Sequence, residues 1–420
     1  MTLHFSIADP AASPWTCPFC PLLCDTFSVD ADGDTLTLRD SDCPRARAAL
    51  SRFGPQPPSL QSEVDGLACD LDTAIAAAAH TLAASRQPLF GGLGTDVSGA
   101  RALYALACRT SAICDPAGGR ALLHGLRAAQ DRGAFTTTLG EVRARADLIV
   151  CVGGLPNEHY PEFLRRCGIG EGSSAQVVVL QSTDAPVPAG APAAIEFISF
   201  EGDLFDAVAL LAACVSSRTV RAQSDPYTAL AARLHAAHYA VVVHEAVRMP
   251  VHGSLINEAI NRIVGTLHQR TRAAALPLGG ADGASTVNAV FTWLSGLPLR
   301  SRAGPAGLEH EPLRFDAQRL LADHAVDALL WVASFGTEPA PPESDLPRIV
   351  LGHPGFAAAA QRKGSVFIPV STPGIGSAGH LFRTDGSVLM PLHAVRSEGL
   401  PTVADVLGRL TRTLQAGVAA

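Results

Sequence analysis

Lysine is almost missing from this chain: Lys363 is the only one, and every other basic side chain is an arginine. That bias, together with abundant alanine, suits a GC-rich bacterial genome. Positive charge is short as well. Thirty-two Lys and Arg stand against 39 Asp and Glu, for a net charge of -7. That excess of acid argues against nucleic acid as a partner, because gripping phosphates takes a basic surface. No apolar run approaches the length of a membrane span. The start, Met1-Thr2-Leu3-His4-Phe5, lacks the basic region and apolar core of an export leader. The expected compartment is therefore the cytoplasm, where the ten cysteines read as metal ligands or buried thiols instead of disulfides. No G-x-G-x-x-G stretch appears, so a dinucleotide is not specifically indicated. Charged residues make up 17% against 47% hydrophobic, a ratio that supports a large core and argues against disorder. The 420 residues are enough for two or three domains.

What the chain does have is a concentration of cysteine near its start. Cys17, Cys20 and Cys24 lie in Thr16-Cys17-Pro18-Phe19-Cys20-Pro21-Leu22-Leu23-Cys24-Asp25, and Cys43 follows in Asp42-Cys43-Pro44. The spacing is C-x2-C-x3-C-x18-C. Between the third and fourth cysteines, Phe27-Ser28-Val29-Asp30 leads to the turn Asp32-Gly33-Asp34, and Thr35-Leu36-Thr37-Leu38 returns. A hairpin here brings Cys43 back beside the other three. A tight loop of three thiolates with a returning fourth suits a [4Fe-4S] cluster. Four thiolates also suit structural zinc, although the two separated C-x2-C pairs of such sites are absent. A vacant relic of a cluster site is the third reading.

Past the prolines from Pro55 to Pro58, which read as a linker, apolar strands alternate with helical patterns. Leu89-Phe90 runs into a glycine turn at Gly91-Gly92, and Asp147 to Val152 into another at Gly153-Gly154. Further strands are expected at 176–180, 195–200, 240–244, 328–333, 348–352 and 366–370. Continuous apolar runs separated by helices mean strands buried on both faces of parallel sheets. The fold class is α/β, with two doubly wound sheets behind a small cysteine lobe. Ligands in such sheets sit beyond the carboxyl ends of strands, so both glycine turns are candidate ligand edges, and tight-turn geometry explains them equally well. His235 and His238 lie on one helical face as a candidate metal pair without a third ligand. Glu158 and His159, in a strand-end loop, are candidates that a solvated loop also explains.

Four separated stretches carry a family resemblance. They are the cysteine loop, Thr138-Leu139-Gly140-Glu141-Val142 running on to Ala146-Asp147-Leu148-Ile149, the segment Phe291 to Leu299 around Trp293, and Pro373 to Asp385. Together they resemble the B-type subunit of formylmethanofuran dehydrogenase, within the molybdopterin/tungstopterin oxidoreductase superfamily. The resemblance implies a four-cysteine lobe at 1–54. It also implies an α/β domain built from 55–113 and 291–420, with a Rossmann-like α/β domain, 114–290, inserted into it. As cofactors it implies a [4Fe-4S] cluster on Cys17, Cys20, Cys24 and Cys43, and tungsten or molybdenum on two pterins with Cys114 as metal ligand. The departures from the family pattern are concentrated at that second site. Where the family has histidine after its metal-binding cysteine, this chain has Asp115. The asparagine before the pterin-side proline is replaced in Gly153-Gly154-Leu155-Pro156, and no lysine follows Cys43, where Pro44-Arg45-Ala46-Arg47 stands. Read without the family, Cys114 is a small buried residue at a strand end.

Two functions follow from the resemblance. The first is a B-like subunit of the formyltransferase/hydrolase complex of methylotrophic bacteria. In it the chemistry belongs to amidohydrolase-like and formyltransferase subunits, alongside a C-type subunit, and this chain is scaffold without redox catalysis of its own. The alternative is a working tungsten or molybdenum subunit that interconverts carbon dioxide and formate, with the cluster as electron relay.

Overall fold

The computed structural model describes residues 15–33, 35–54, 60–170, 174–188, 192–218, 225–360 and 362–418. Asp34 of the expected hairpin turn and the expected proline linker fall outside them. The chain opens with the hairpin β1 (Ser28–Asp32) and β2 (Thr35–Arg39), then α1 (Pro44–Leu50). β3 (Ser62–Val64), β4 (Leu67–Cys69), α2 (Leu71–Ala84), β5 (Pro88–Gly94), α3 (Val97–Thr110) and β6 (Ile113–Pro116) follow. Next come α4 (Gly119–Arg132), α5 (Leu139–Arg145), β7 (Leu148–Val152), α6 (Phe163–Arg166), β8 (Gln176–Ser182) and β9 (Ile195–Phe200). The middle closes with α7 (Leu204–Val215), α8 (Asp225–Ala236), β10 (Tyr239–Glu245), α9 (Gly253–Leu267) and β11 (Arg272–Leu278). Then come α10 (Ala284–Ser295), β12 (Ser301–Gly304), β13 (Gly307–His310), α11 (Ala317–Ala322), β14 (Ala328–Ala333) and β15 (Arg348–Gly352). The last elements are β16 (Ser365–Pro369), β17 (Gly379–Phe382), β18 (Leu389–Leu392) and α12 (Val403–Val418).

The chain divides into two compact units. The first takes residues 1–119, 281–382 and 389–420; the second takes 120–280 with 383–388. The cysteine lobe clusters with the first unit. So does the stretch from Cys114 to Gly119, which the family resemblance places in the inserted domain. The reason is hydrogen bonding: β6 pairs in parallel with β5, setting Ile113 opposite Leu89 and Cys114 opposite Phe90.

In the first unit the sheet order is β13-β12-β6-β5-β14-β15-β16-β3-β4. Its parallel centre, β6 to β16, is built from strands such as Ala328-Leu329-Leu330-Trp331-Val332-Ala333, in which every residue is buried. A run with no polar alternation has no face to offer water, so it takes a central place. α3 begins where the Asp96 carboxylate accepts the Gly99 N–H at 2.9 Å, capping the first turn. Gly91 and Gly92 do not form a ligand-edge turn as expected; they lie inside β5. A Cβ on Gly91 would fall 2.9 Å from the Trp331 ring, and one on Gly92 would fall 2.6 Å from the Val332 carbonyl. These glycines make room for a tryptophan on the neighbouring strand.

In the second unit the sheet is wholly parallel, in the order β11-β10-β7-β8-β9. β7, Leu148-Ile149-Val150-Cys151-Val152, is buried throughout. α7, α8 and α9 cover one face, with Leu211, Leu234, Ile260 and Val264 packed on Val150, Val178 and Val242. The late segment 383–388 completes this unit. Its Asp385 carboxylate accepts the Leu139 N–H at 3.2 Å, and Thr384 Oγ1 donates to the Pro277 carbonyl at 3.1 Å.

Candidate functional site

The cysteine loop folds as a closed turn. The Cys17 N–H donates to the Cys24 carbonyl at 2.9 Å, and the Leu23 N–H donates to the Cys20 carbonyl at 3.0 Å. Leu23 takes φ +44° to make the reversal. Trp15 fastens the loop from outside, through its Nε1 to the Gly374 carbonyl at 2.7 Å. β1 and β2 return the chain so that Cys43 stands at the N-terminal cap of α1, its carbonyl accepting the Arg47 N–H at 3.1 Å. All four cysteines are buried. Burial pushes the Cys17 thiol well up, the Phe19 N–H partly offsets that, and charge on Cys20, Cys24 or Cys43 adds to the rise. Cys20 is pushed up to about 11 by burial, against the Leu22 N–H and the Arg45 guanidinium. The thiols therefore stand close enough to feel one another. Backbone N–H groups aimed at sulfur and a nearby cation are what a thiolate ligand set needs. Among the described residues, no three His, Cys, Asp or Glu side chains already form the close cage of a single metal ion.

Arg45 and Asp282 join this lobe to the sheet below. Arg45 Nε donates to the Phe19 carbonyl at 2.7 Å. Asp282 sits at the carboxyl end of β5, its carbonyl 3.1 Å from where a Cβ on Gly94 would lie. Burial raises the Asp282 carboxyl, and Arg45 and Arg52 draw it back down.

Cys114 is a different case. Its side chain is 1% exposed in β6, and its thiol is raised by burial, with no cation among the described residues offsetting the rise. The neighbouring Asp115 carboxylate is fully engaged. Arg300 Nε donates to Oδ1 at 2.8 Å, Arg300 Nη2 to Oδ2 at 3.4 Å, and the Ala317 N–H to Oδ2 at 2.8 Å. Arg300 also bonds Asp316 at 2.5 Å and the Pro312 carbonyl at 2.5 Å. Burial pushes the Asp115 carboxyl up, and Arg300 pulls it down. α4 starts against the same carboxylate: a Cβ at Gly119 would overlap Asp115 Oδ1. This is a closed structural ion pair. A metal ligand needs an open, ionised thiolate, and these residues do not fit one.

At the carboxyl end of β7, Gly153 and Gly154 take φ +87° and +130°. The loop beyond them carries His159, whose Nδ1 lies 2.7 Å from the Oε2 of Glu245, a residue 2% exposed at the end of β10. Arg248 Nε donates to the other oxygen of Glu245 at 2.6 Å, and its Nη2 donates to Glu158 at 2.9 Å. The carboxyl ends of β7 and β10 form the topological switch of this sheet, since β8 lies on one side of β7 and β10 on the other. His159 and Glu158 thus belong to an ion-pair network. His235 and His238 do not share a helical face, since α8 ends at Ala236; His235 Nε2 bonds the Val215 carbonyl at 2.9 Å, and Asp147 accepts the His238 backbone N–H at 2.7 Å.

No protein-family model matches the chain. It is 32% identical over 362 residues to the B-type subunit of the formyltransferase/hydrolase complex Fhc of Methylorubrum extorquens, covering 84% of this chain and 98% of that protein. The chain belongs to the family of Fhc B-type subunits. A crystal structure of the FhcABCD complex from the same organism, with methylofuran, matches at a TM-score of 0.76 and 30% identity, over 86% of this chain and 100% of the matched one. The B-type subunit of a tungsten-containing formylmethanofuran dehydrogenase 2 from Methanocaldococcus jannaschii is 24% identical over 416 residues, covering 88% of this chain and 90% of its own. Acetylene hydratase from Pelobacter acetylenicus shares the fold, with a TM-score of 0.62 at 9% identity over 96% of this chain and 70% of its own.

Sequence reasoning on this Fhc B-family chain missed Arg300 and Asp316, the partners that determine what Asp115 is. Arg300 stands directly after the recognised Phe291–Leu299 stretch, but nothing local marks it as buried. It also missed Glu245, which lies 86 positions from His159. Among the described residues, no helix is long and apolar enough to cross a membrane.

Proposed function

We propose that this chain is the non-redox platform of a cytoplasmic formyltransferase/hydrolase complex. Its partners are an amidohydrolase-like subunit, a formyltransferase subunit and a C-type subunit, which carry the chemistry. Membership in the family of Fhc B-type subunits supports the assembly. The observation that carries the non-redox part is the closed Asp115–Arg300 pair beside Cys114. Where the family pattern has a histidine able to move protons, this chain has a carboxylate with its charge consumed and its oxygens occupied. Opening the position to a bis-pterin metal would break a buried ion pair, which costs several kcal/mol.

In the same reading, Cys17, Cys20, Cys24 and Cys43 hold a [4Fe-4S] cluster. The cluster would supply reversible one-electron storage and a covalent staple for the lobe. The donor chemistry supports it: four buried thiols, N–H groups from Phe19 and Leu22, and Arg45 beside Cys20. Zinc needs the sulfurs drawn to about 2.3 Å from one ion, a tighter gathering than a cube requires.

The test is the complex purified without oxygen. Iron near four per chain, no tungsten or molybdenum, and formate production unchanged in Cys114→Ala are the expected results. Stoichiometric tungsten or molybdenum with viologen-linked formate oxidation, both lost in Cys114→Ala, would overturn the platform reading in favour of the dehydrogenase.

A further inference from the structure

Three segments of the first unit meet around a cavity of about 310 Å³. Arg52 and Phe53 come from the turn after α1, His353 from the carboxyl end of β15, and Arg396, Glu398 and Leu400 from the loop between β18 and α12. The volume lies within the range of small-molecule sites, and the carboxyl end of a parallel strand is where such sheets place ligands.

His353 is 3% exposed. Its ring meets Phe53 edge-on at 4.9 Å, and its Nδ1 accepts the Gly355 N–H at 3.0 Å. The ring proton therefore sits on Nε2. Burial, with the Arg52 charge nearby, pushes its pKa down to about 4, so it is a neutral donor at pH 7. Arg396 holds the Phe53 carbonyl at 3.1 Å and Glu398 at 3.2 Å, so that pair contributes little net charge. Arg52 has no hydrogen bond among the described residues. It lies over the loop after β14, where a Cβ on Gly336 would come 2.6 Å from its Nη1. Glycine at 336 keeps this seat open.

We propose that this cavity binds a small organic monocarboxylate. The Arg52 guanidinium takes the carboxylate, His353 Nε2–H donates to it, and Phe53 and Leu400 pack on the apolar body. An arginine paired to a carboxylate through two N–H groups is the geometry best matched to this ligand. Asp282 draws on both Arg45 and Arg52, and Glu398 is paired with Arg396, so these groups together leave one net positive charge, which suits a monoanion; a second negative charge on the ligand meets repulsion. Neither Cys114 nor any of the four thiols is among the described residues that line it.

The experiment is isothermal titration of the full chain in its purified complex with sodium benzoate, and separately with inorganic phosphate. The variants are Arg52→Gln, which removes the charge, and Leu400→Trp, which fills the cavity without touching the charge. Circular dichroism checks that both fold. Benzoate should bind saturably and more tightly than phosphate. Each variant should weaken it about tenfold or more, the worth of one charge-assisted contact. No benzoate binding, benzoate binding in either folded variant as tight as in the unsubstituted chain, or phosphate binding at least as tightly overturns the proposal.

Discussion

The four-cysteine loop and strand β6 both bury cysteine, and they do opposite things with it. In the loop, N–H groups from Phe19 and Leu22 point at sulfur and Arg45 stands beside Cys20, so the fold offsets part of what burial costs the ionised form of these thiols. In β6, no donor or cation among the described residues offsets the burial of Cys114, and the neighbouring Asp115 is satisfied by Arg300 and Ala317. Burial alone says nothing about chemistry. What separates a ligand from filler is whether its surroundings offer stabilisation to the charged form.

The sharpest way to break the comparison is metal content. Replacing Cys17 and Cys20 together by serine should abolish iron binding in anaerobically prepared protein, while Cys114→Ala leaves the iron content as it was. Iron retained in the double variant sinks the cluster assignment.

Next in size is the ion pair. Arg300→Met strands Asp115 in the interior and should lower stability by about 3–5 kcal/mol in denaturant unfolding. Adding Asp115→Leu should recover part of that loss, because the most deeply buried orphaned charge is gone, while Asp316, which also bonds Arg300, stays without its partner. Additive losses would show that the pair is not a closed structural unit.

A smaller effect concerns pH. Cys20 without metal has a pKa raised from 9.0 to about 11. A raised folded pKa stabilises the fold below the unfolded value and loses that contribution as pH rises through the folded one. The apo lobe should therefore weaken between about pH 9 and about 11, as read by Trp15 fluorescence. His244 and His353, each held near pKa 4, act in the other direction. Their depressed values contribute stability above the unfolded pKa of 6.5, and that stability is lost as pH falls towards about 4. His353→Gln should flatten part of the acid limb.

The smallest effect is expected at Cys114→Ala: about 1 kcal/mol of packing and no change in formate production by the complex. A large loss of activity with the fold intact would move Cys114 from filler to function.

Much of the fold was legible. Leu148 to Val152 and Ala328 to Ala333 are unbroken apolar runs that suit only the middle of a sheet, and the hairpin between Cys24 and Cys43 could be read from its turn residues. The short flanking strands, such as β3 and β12, were not, because three or four residues carry no period. Gly91 and Gly92 were misread for a related reason: what they accommodate, Trp331, is on another strand. The cysteine loop was legible because its members are close in sequence. The meaning of Asp115 was not, because Arg300 reaches it across 185 positions. Ion pairs formed by long-range folding leave no local mark.

The six-residue segment 383–388 bears on the order in which the protein is made. Residues 120–280 emerge from the ribosome as one block and hold nearly all of the second unit's core. The carboxylate that receives the Leu139 N–H is on Asp385, synthesised much later. Until then this block waits with that amide unanswered, and a chain cut short anywhere before 383 can never finish it.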